Sequence, residues 1–154
     1  MEKKNDVISI IVPCHNEQEV LPFFLEEVEK VYHEMHKKYN TEFEYIFIDD
    51  GSKDKTLELL KGYSKENSRV KYISFSRNFG KEAGMYAGLQ HATGDYVVII
   101  DADLQDPPHL MDERYKTLIE TDYDCVASCR VDRKGESKSR SAFAHMFYTI
   151  ITKI

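Results

Sequence analysis

Several things are scarce in this sequence of 154 residues, and each scarcity closes off a class of protein. There are three cysteines, Cys14, Cys125 and Cys129, an odd number with no regular framework. That excludes a disulfide scaffold and fits a reducing compartment. Cys125 and Cys129 stand four apart without the further ligands of a tetrahedral zinc site, so they read as ordinary thiols. No apolar run approaches the roughly 20 residues that span a bilayer, and the polar start Met1–Asp6 is no secretory signal. A surplus of positive charge is also missing: 21 basic residues face 27 acidic ones, for a net charge of −6. A nucleic-acid binder usually shows a basic face, so no nucleic-acid partner is expected. Neither repeats nor low-complexity linkers occur. The expected location is cytoplasmic, or the cytoplasmic face of a membrane if a longer native chain carries transmembrane helices.

What is present suits a folded domain with a real core: 42% hydrophobic and 31% charged residues. Val7–Val12 is a β-branched run stopped by Pro13, and so a first strand. Val20, Phe24, Val28, Tyr32 and Met35 then repeat at helical spacing, predicting a helix from about Pro22 to Lys38. Tyr45–Ile48 reads as strand two, with Asp54 or Ser52 capping the next helix over Leu57 and Leu60. Val70–Phe75 is strand three, and Glu82–Ala92 a helix of small residues able to pack close to a sheet. Tyr96–Ile100 is strand four, expected to be buried on both faces because it lacks polar alternation. Pro108 opens another helix, and Cys125–Ser128 reads as a short fifth strand. Strict alternation predicts an α/β fold, a mostly parallel sheet with helices on both faces.

The expected organisation is a single domain over 1–154. It comprises a disordered tail (1–6), a core (7–130), a flexible basic loop (131–140) and a terminal amphipathic helix (141–154). That helix carries Phe143, Met146, Phe147, Ile150, Ile151 and Ile154. Such an apolar face needs a cover, so either it docks on this domain or the chain is the front part of something longer.

The chemistry concentrates at strand ends, where open α/β sheets bind ligands. Strand four ends in Asp101-Ala102-Asp103-Leu104-Gln105-Asp106. Three carboxylates within six residues exceed what a helix cap needs, and they repel unless a cation offsets them. Carboxylate and amide oxygens suit Mg²⁺ or Mn²⁺, often shared with a substrate phosphate. Asp49-Asp50-Gly51-Ser52 and Pro13-Cys14-His15-Asn16-Glu17 open on the same edge. Either could be turn chemistry, or could supply acceptors to a base or ribose. Arg77-Asn78-Phe79-Gly80-Lys81 offers two cations before a helix start, which suits phosphate although the Walker spacing is absent. Arg130, Arg133 and Arg140 could close over a diphosphate as a basic lid.

These four strand ends, in this order and at these spacings, resemble family 2 glycosyltransferases of the GT-A fold. The nearest subgroup is that of dolichol-phosphate mannosyltransferases and bactoprenol glucosyltransferases. The resemblance runs from about Val7 to Lys153. It implies a Rossmann-like nucleotide-diphospho-sugar domain whose acceptor part lies outside the chain. By position, Pro13, His15, Glu17, Ile48 and Asp50 would hold the nucleoside, with Asp49 in support; His15 stands where Tyr is common. Asp101, Ala102 and Asp103 would face ribose and diphosphate. Asp103 and Gln105 would hold the divalent metal, with Asp101 close by. Lys81, Arg130 and Arg140 would contact the donor, and Asp101, Asp103 and Arg130 would carry catalysis.

The implied reaction is transfer of a sugar, with inversion, from a UDP- or GDP-sugar to a polyprenyl phosphate. Membrane association would come only through parts absent from the chain. Two rivals stand beside it: a donor-half module that binds nucleotide and metal without turnover, and a phosphotransferase with Asp101 as nucleophile. The second usually places its Asp-x-Asp after the first strand, not the fourth.

Overall fold

The computed structural model describes residues 5–128. The chain divides into two compact units, Met1–Asp122 and Tyr123–Ile154. Of the second unit only residues 123–128 are described, so Arg130, Arg140, the basic loop and the terminal helix lie outside the described residues. Cys125–Ser128 forms no strand there. With one β-branched residue in four, that run has little to hold a pairing.

The first unit alternates β1 (Val7–Cys14), α1 (Leu21–Tyr39), β2 (Glu42–Asp49), α2 (Thr56–Glu66), β3 (Val70–Ser74), α3 (Lys81–His91), β4 (Tyr96–Ile99) and α4 (Leu110–Glu120). The sheet order is β3-β2-β1-β4, with every pairing parallel. Ile8, Ile10 and Val12 of β1 share one face with Phe43, Tyr45 and Phe47 of β2. There they join Phe24, Val28 and Met35 of α1, Leu60 of α2 and Met111 and Tyr115 of α4 in the main core. The opposite face, with Ile11, Ile46 and Ile48 buried, carries α3. A methyl group on Gly88 would sit 2.3 Å from Ile11 Cγ2, so α3 approaches because that residue has no side chain. Helices therefore cover both faces, as the alternation predicts.

Four local expectations need correction. β1 runs through Pro13 to Cys14. Its pairing with β4 has ended by then, the last bond being Ile100 N–H to Ile11 O, so the missing proline N–H removes no ladder bond. β2 starts at Glu42, before the apolar run. β4 is not buried on both faces: it is the edge strand among the described residues, and Val97 and Ile99 are 43% and 37% exposed. Finally, Asp6 is no part of a loose tail. Its carbonyl accepts from Glu42 N–H, and its carboxylate accepts from the Tyr115 hydroxyl at 2.7 Å.

Candidate functional site

The parallel sheet brings the C-terminal ends of β1, β2, β3 and β4 to one edge, and the loops that follow are tied to one another. The β1–α1 loop is laced to the β2–α2 loop. Asn16 N–H donates to Ser52 Oγ at 3.0 Å, Glu17 N–H to Thr56 Oγ1 at 2.8 Å, and Gln18 N–H to Asp54 Oδ2 at 3.1 Å. In return Lys53 N–H donates to Asn16 Oδ1 at 2.8 Å and Lys55 N–H to Gln18 Oε1 at 2.9 Å. Asp54 also accepts from Thr56 N–H at 3.0 Å, which satisfies an otherwise unpaired donor in the first turn of α2. Asn16 is left-handed, φ 58°, a conformation asparagine tolerates.

The β2 and β3 loops interlock as closely. Asp50, 4% exposed, accepts from Phe79 N–H at 2.6 Å and from Gly80 N–H at 2.9 Å, one bond to each carboxylate oxygen. Asp49, 1% exposed, accepts from Ser52 N–H and the Ser74 hydroxyl. Gly51 has φ 66°, and a side chain on it would meet the backbone carbon of Arg77 at 2.4 Å. The turn after β2 can thus press against the turn after β3 only with glycine there. Gly80, φ 96°, then swings the chain into α3.

One cavity of about 300 Å³ opens on this edge. It is lined by Pro13, Cys14, His15, Glu17, Asp50, Asn78, Gly80, Lys81, Asp101, Ala102 and Asp103. A second cavity of about 520 Å³ adjoins it across His15 and Asn78, with Asp49, Gly51, Ser52, Lys53 and Arg77 in its wall. Nine of the residues singled out from the sequence therefore meet on adjoining walls: Pro13, His15, Glu17, Asp49, Asp50, Lys81, Asp101, Ala102 and Asp103. Ile48 does not reach either cavity. It is fully buried beneath Gly84 and Gly88 of α3, because the pleat turns it to the opposite side from Phe47. Gln105 is exposed and lies outside both cavity walls. Asn78 and Gly80 belong to the wall without having been singled out one by one. Their signal was the glycine before a helix start.

The electrostatics are uneven. Lys81 Nζ lies 2.6 Å from Asp101 Oδ1 and 2.7 Å from Oδ2. Asp103 has its Oδ1 bonded by the Gln105 N–H at 3.0 Å. Across the cavity, burial pushes the Glu17 carboxyl above its usual range, and Asp103, Asp54 and Asp101 push it the same way. Burial likewise drives the Cys14 thiol far up, with Glu17, Asp49 and Asp101 adding to it. Cys14 is therefore an inert wall residue. The His15 Nδ1 lies 2.9 Å from the Asp50 carbonyl and its Nε2 3.1 Å from Asn16 Nδ2. Donation from Nδ1 and acceptance at Nε2 satisfy both contacts and hold the ring on the rim between the cavities.

The stretch after β4 is pinned as well. Ala102 is buried, and Leu104 packs against the main core with a left-handed backbone, φ 59°. That conformation costs a non-glycine residue roughly 1–2 kcal/mol. Asp106 does not cap the following helix; it forms a bidentate pair with Arg114 at 2.7 and 2.9 Å. α4 begins at Leu110, after a tight turn from Pro107 and Pro108.

The arrangement is an acid-walled cleft at the C-terminal edge of a parallel sheet, with Lys81 in its wall. Comparison with known proteins agrees with it. The chain is 40% identical over 151 residues to the prophage bactoprenol glucosyl transferase homolog of Escherichia coli (strain K12), covering 96% of this chain and 46% of that protein. It thus spans about half the length of the curated relatives it matches. Among solved structures, TarS 1–349 of S. aureus in complex with UDP matches with a TM-score of 0.52 and 26% identity, over 70% of this chain and 32% of that one. Mannosyltransferase PcManGT from Pyrobaculum calidifontis, in complex with GDP-Man and Mn²⁺, matches with a TM-score of 0.54 and 23% identity, over 68% and 34%. These neighbours share the GT-A fold. Residues 9–153 match the profile of Glycosyl transferase family 2, and the chain belongs to that family.

Proposed function

We propose that this chain is the donor-binding part of an inverting glycosyltransferase. It would move a sugar from a UDP- or GDP-sugar to a polyprenyl phosphate at the cytoplasmic face of a membrane. The observation that carries the reading is the cleft that Asp101 and Asp103 of one strand end share with His15 and Glu17 of another, with Lys81, the first residue of α3, paired to Asp101. Support for the two ligands comes from names: UDP in the TarS complex, GDP-Man in the PcManGT complex and bactoprenol in the curated relative.

The donor set fits a hard divalent cation. Its groups, those of Asp101, Asp103 and Gln105, are oxygens only; among the described residues no three of His, Cys, Asp or Glu come together as a metal-holding group, so the ion would rest on one or two carboxylates and on the substrate. Mg²⁺ and Mn²⁺ are held in this way, by one or two carboxylates together with substrate phosphates. Asp103 and Gln105 would hold the ion, with Asp101 beside them; bound there, it would supply positive charge at the leaving diphosphate. His15 would stack on or border the base, and Glu17 would accept from a ribose hydroxyl. Lys81 would turn part of its charge from Asp101 to the diphosphate, where preorganised cations act on the transition state. The acceptor phosphate oxygen would bond to the anomeric carbon as the bond from that carbon to the diphosphate breaks on the opposite side. That acceptor is already ionised, so the chain needs no general base. Arg130 and Arg140 remain proposed donor contacts.

Because the chain spans 46% of the E. coli relative, a second reading stands: a module that binds donor and metal without turnover. Thermal shift across a panel of UDP and GDP ligands, with and without Mn²⁺, tests the binding; a product assay separates transferase from module. A bound ligand at 100 times its Kd should stabilise the chain by about 2.7 kcal/mol. Asp103→Ala should abolish the metal-dependent shift, and an unchanged shift would remove Asp103 from the site.

A further inference from the structure

We propose that Leu104, which lies outside the walls of both cavities described above, is a positioning residue that sets the cation-binding arm before any ligand arrives. The inference rests on the donor-site reading above. The arm alternates anchor and ligand: Ala102 is buried, Asp103 is exposed, Leu104 packs against the main core, and Gln105 is exposed. A chain in ordinary extended conformation would achieve that alternation without strain. Here Leu104 has φ 59°, in the left-handed region where a leucine is seldom found. Strain of that kind persists only when the surroundings over-determine it.

Three contacts do so. The Leu104 side chain is held by the core. Asp103 Oδ1 accepts from Gln105 N–H at 3.0 Å, closing a two-residue turn around Leu104. Downstream, Asp106 is fixed by the two-pronged pair with Arg114. The turn decides which way the Asp103 carboxylate faces, since one of its oxygens is bound to its own chain two residues on. A leucine that lets go of the core would release the turn, and with it the direction of Asp103. The apolar anchor and the strained backbone therefore act on a metal ligand through one peptide unit. Neither glycine nor asparagine, the residues that take φ near 60° at least strain, could replace the anchor.

The test is Mn²⁺ affinity by electron paramagnetic resonance, in the presence of UDP, for the full chain at a temperature well below unfolding. Thermal denaturation of the same samples runs beside it. Leu104→Ala keeps the strain without the anchor, Leu104→Gly removes both, and Leu104→Met keeps an anchor of similar size. Loss of a group that orients a metal ligand typically lowers affinity about 10- to 100-fold. We expect a loss of about tenfold for Ala and Gly and near-native affinity for Met, although Gly relieves the backbone. Native Mn²⁺ affinity in both Ala and Gly variants, with only a lower melting temperature, would overturn the proposal and leave Leu104 a core residue. If the unsubstituted chain bound no Mn²⁺ with UDP, the donor-site reading itself would fail, and this inference with it.

Discussion

Two carboxylates at opposite ends of the sheet, Glu44 and Glu17, are treated in opposite ways. At the N-terminal end, Glu44 is 6% exposed and has a partner on every side. It accepts from the Ser9 hydroxyl at 2.6 Å, from Thr93 N–H at 3.0 Å and from the Thr93 hydroxyl at 2.8 Å, and it forms an ion pair with Lys71. Burial alone would raise its pKa, but those bonds outweigh it and pull the carboxyl down to about 2. At the C-terminal end, Glu17 is driven upward by burial and by the neighbouring Asp103, Asp54 and Asp101. A carboxylate that holds the fold finds its partners within the chain. The Glu17 carboxyl instead sits among Asp103, Asp54 and Asp101, and that repulsion subtracts from stability.

The contrast can be broken most forcefully at Glu44. Glu44→Ala leaves two hydroxyls, an amide and a lysine without their acceptor, and should lower stability by about 3 kcal/mol in urea denaturation. A loss within measurement error would show that the far end is as dispensable as a surface pair. The same residue sets an acid limb. Its folded value lies below the 4.5 of the free group, so the unfolded chain binds more protons and stability rises with pH in that window. The contribution is in place above about pH 4.5 and is lost as pH falls towards 2. Glu44→Gln should flatten that limb in a pH series of denaturation curves.

A second, smaller effect is expected at Asp50, which stands at the ligand end but behaves like Glu44. Asp50→Asn can serve only one of the Phe79 and Gly80 amides well and should cost about 1–2 kcal/mol. Because it loosens the turn that carries Lys81, it should weaken UDP and GDP alike. A change confined to base preference would make Asp50 a base contact instead. The smallest effect has the opposite sign. The pKa of Glu17 is raised, so its charged form is disfavoured in the folded chain: the stability it contributes is present below its unfolded value and lost as pH rises. Glu17→Gln should therefore stabilise the ligand-free chain at neutral pH, within about 0.5 kcal/mol, while lowering nucleotide affinity. A destabilised variant would place Glu17 with the structural carboxylates.

The fold was legible wherever apolar residues marked it. Alternating β-branched runs and helical repeats give four parallel strands and the helices between them, and small residues foretell the close approach of α3. Pattern failed where a carboxylate sits inside a strand. Glu42 and Glu44 read as loop, because the hydroxyls and the lysine that accommodate Glu44 lie 27 to 49 residues away in sequence. Pattern also misjudged β4. An unbroken apolar run says that a strand could be buried on both faces, and the sheet order decides whether it is. At the candidate site, residue types point to the edge of the sheet where the two cavities open, but not to the division of labour. Turn chemistry in Asp49-Asp50-Gly51-Ser52 accounts for the Ser52 bond, but nothing local says that Asp49 also takes Ser74 and that Asp50 takes Phe79 and Gly80. Nor does anything local to Leu104 announce a positive φ.

The lacing between the strand-end loops has a consequence in time as well as in space. Loops around an empty cleft ordinarily surrender their amide hydrogens to solvent within moments, since their donors are bonded only to water. Here the N–H groups of Asn16, Lys53, Phe79 and Gly80 are bonded to side chains on neighbouring loops, and that of Glu17 to Thr56 at the start of α2. Their deuterium uptake should be slow before any nucleotide is added, and should change little when one arrives. A donor of the proposed kind would meet loops that are already ordered, so little of its binding energy would be spent on arranging them.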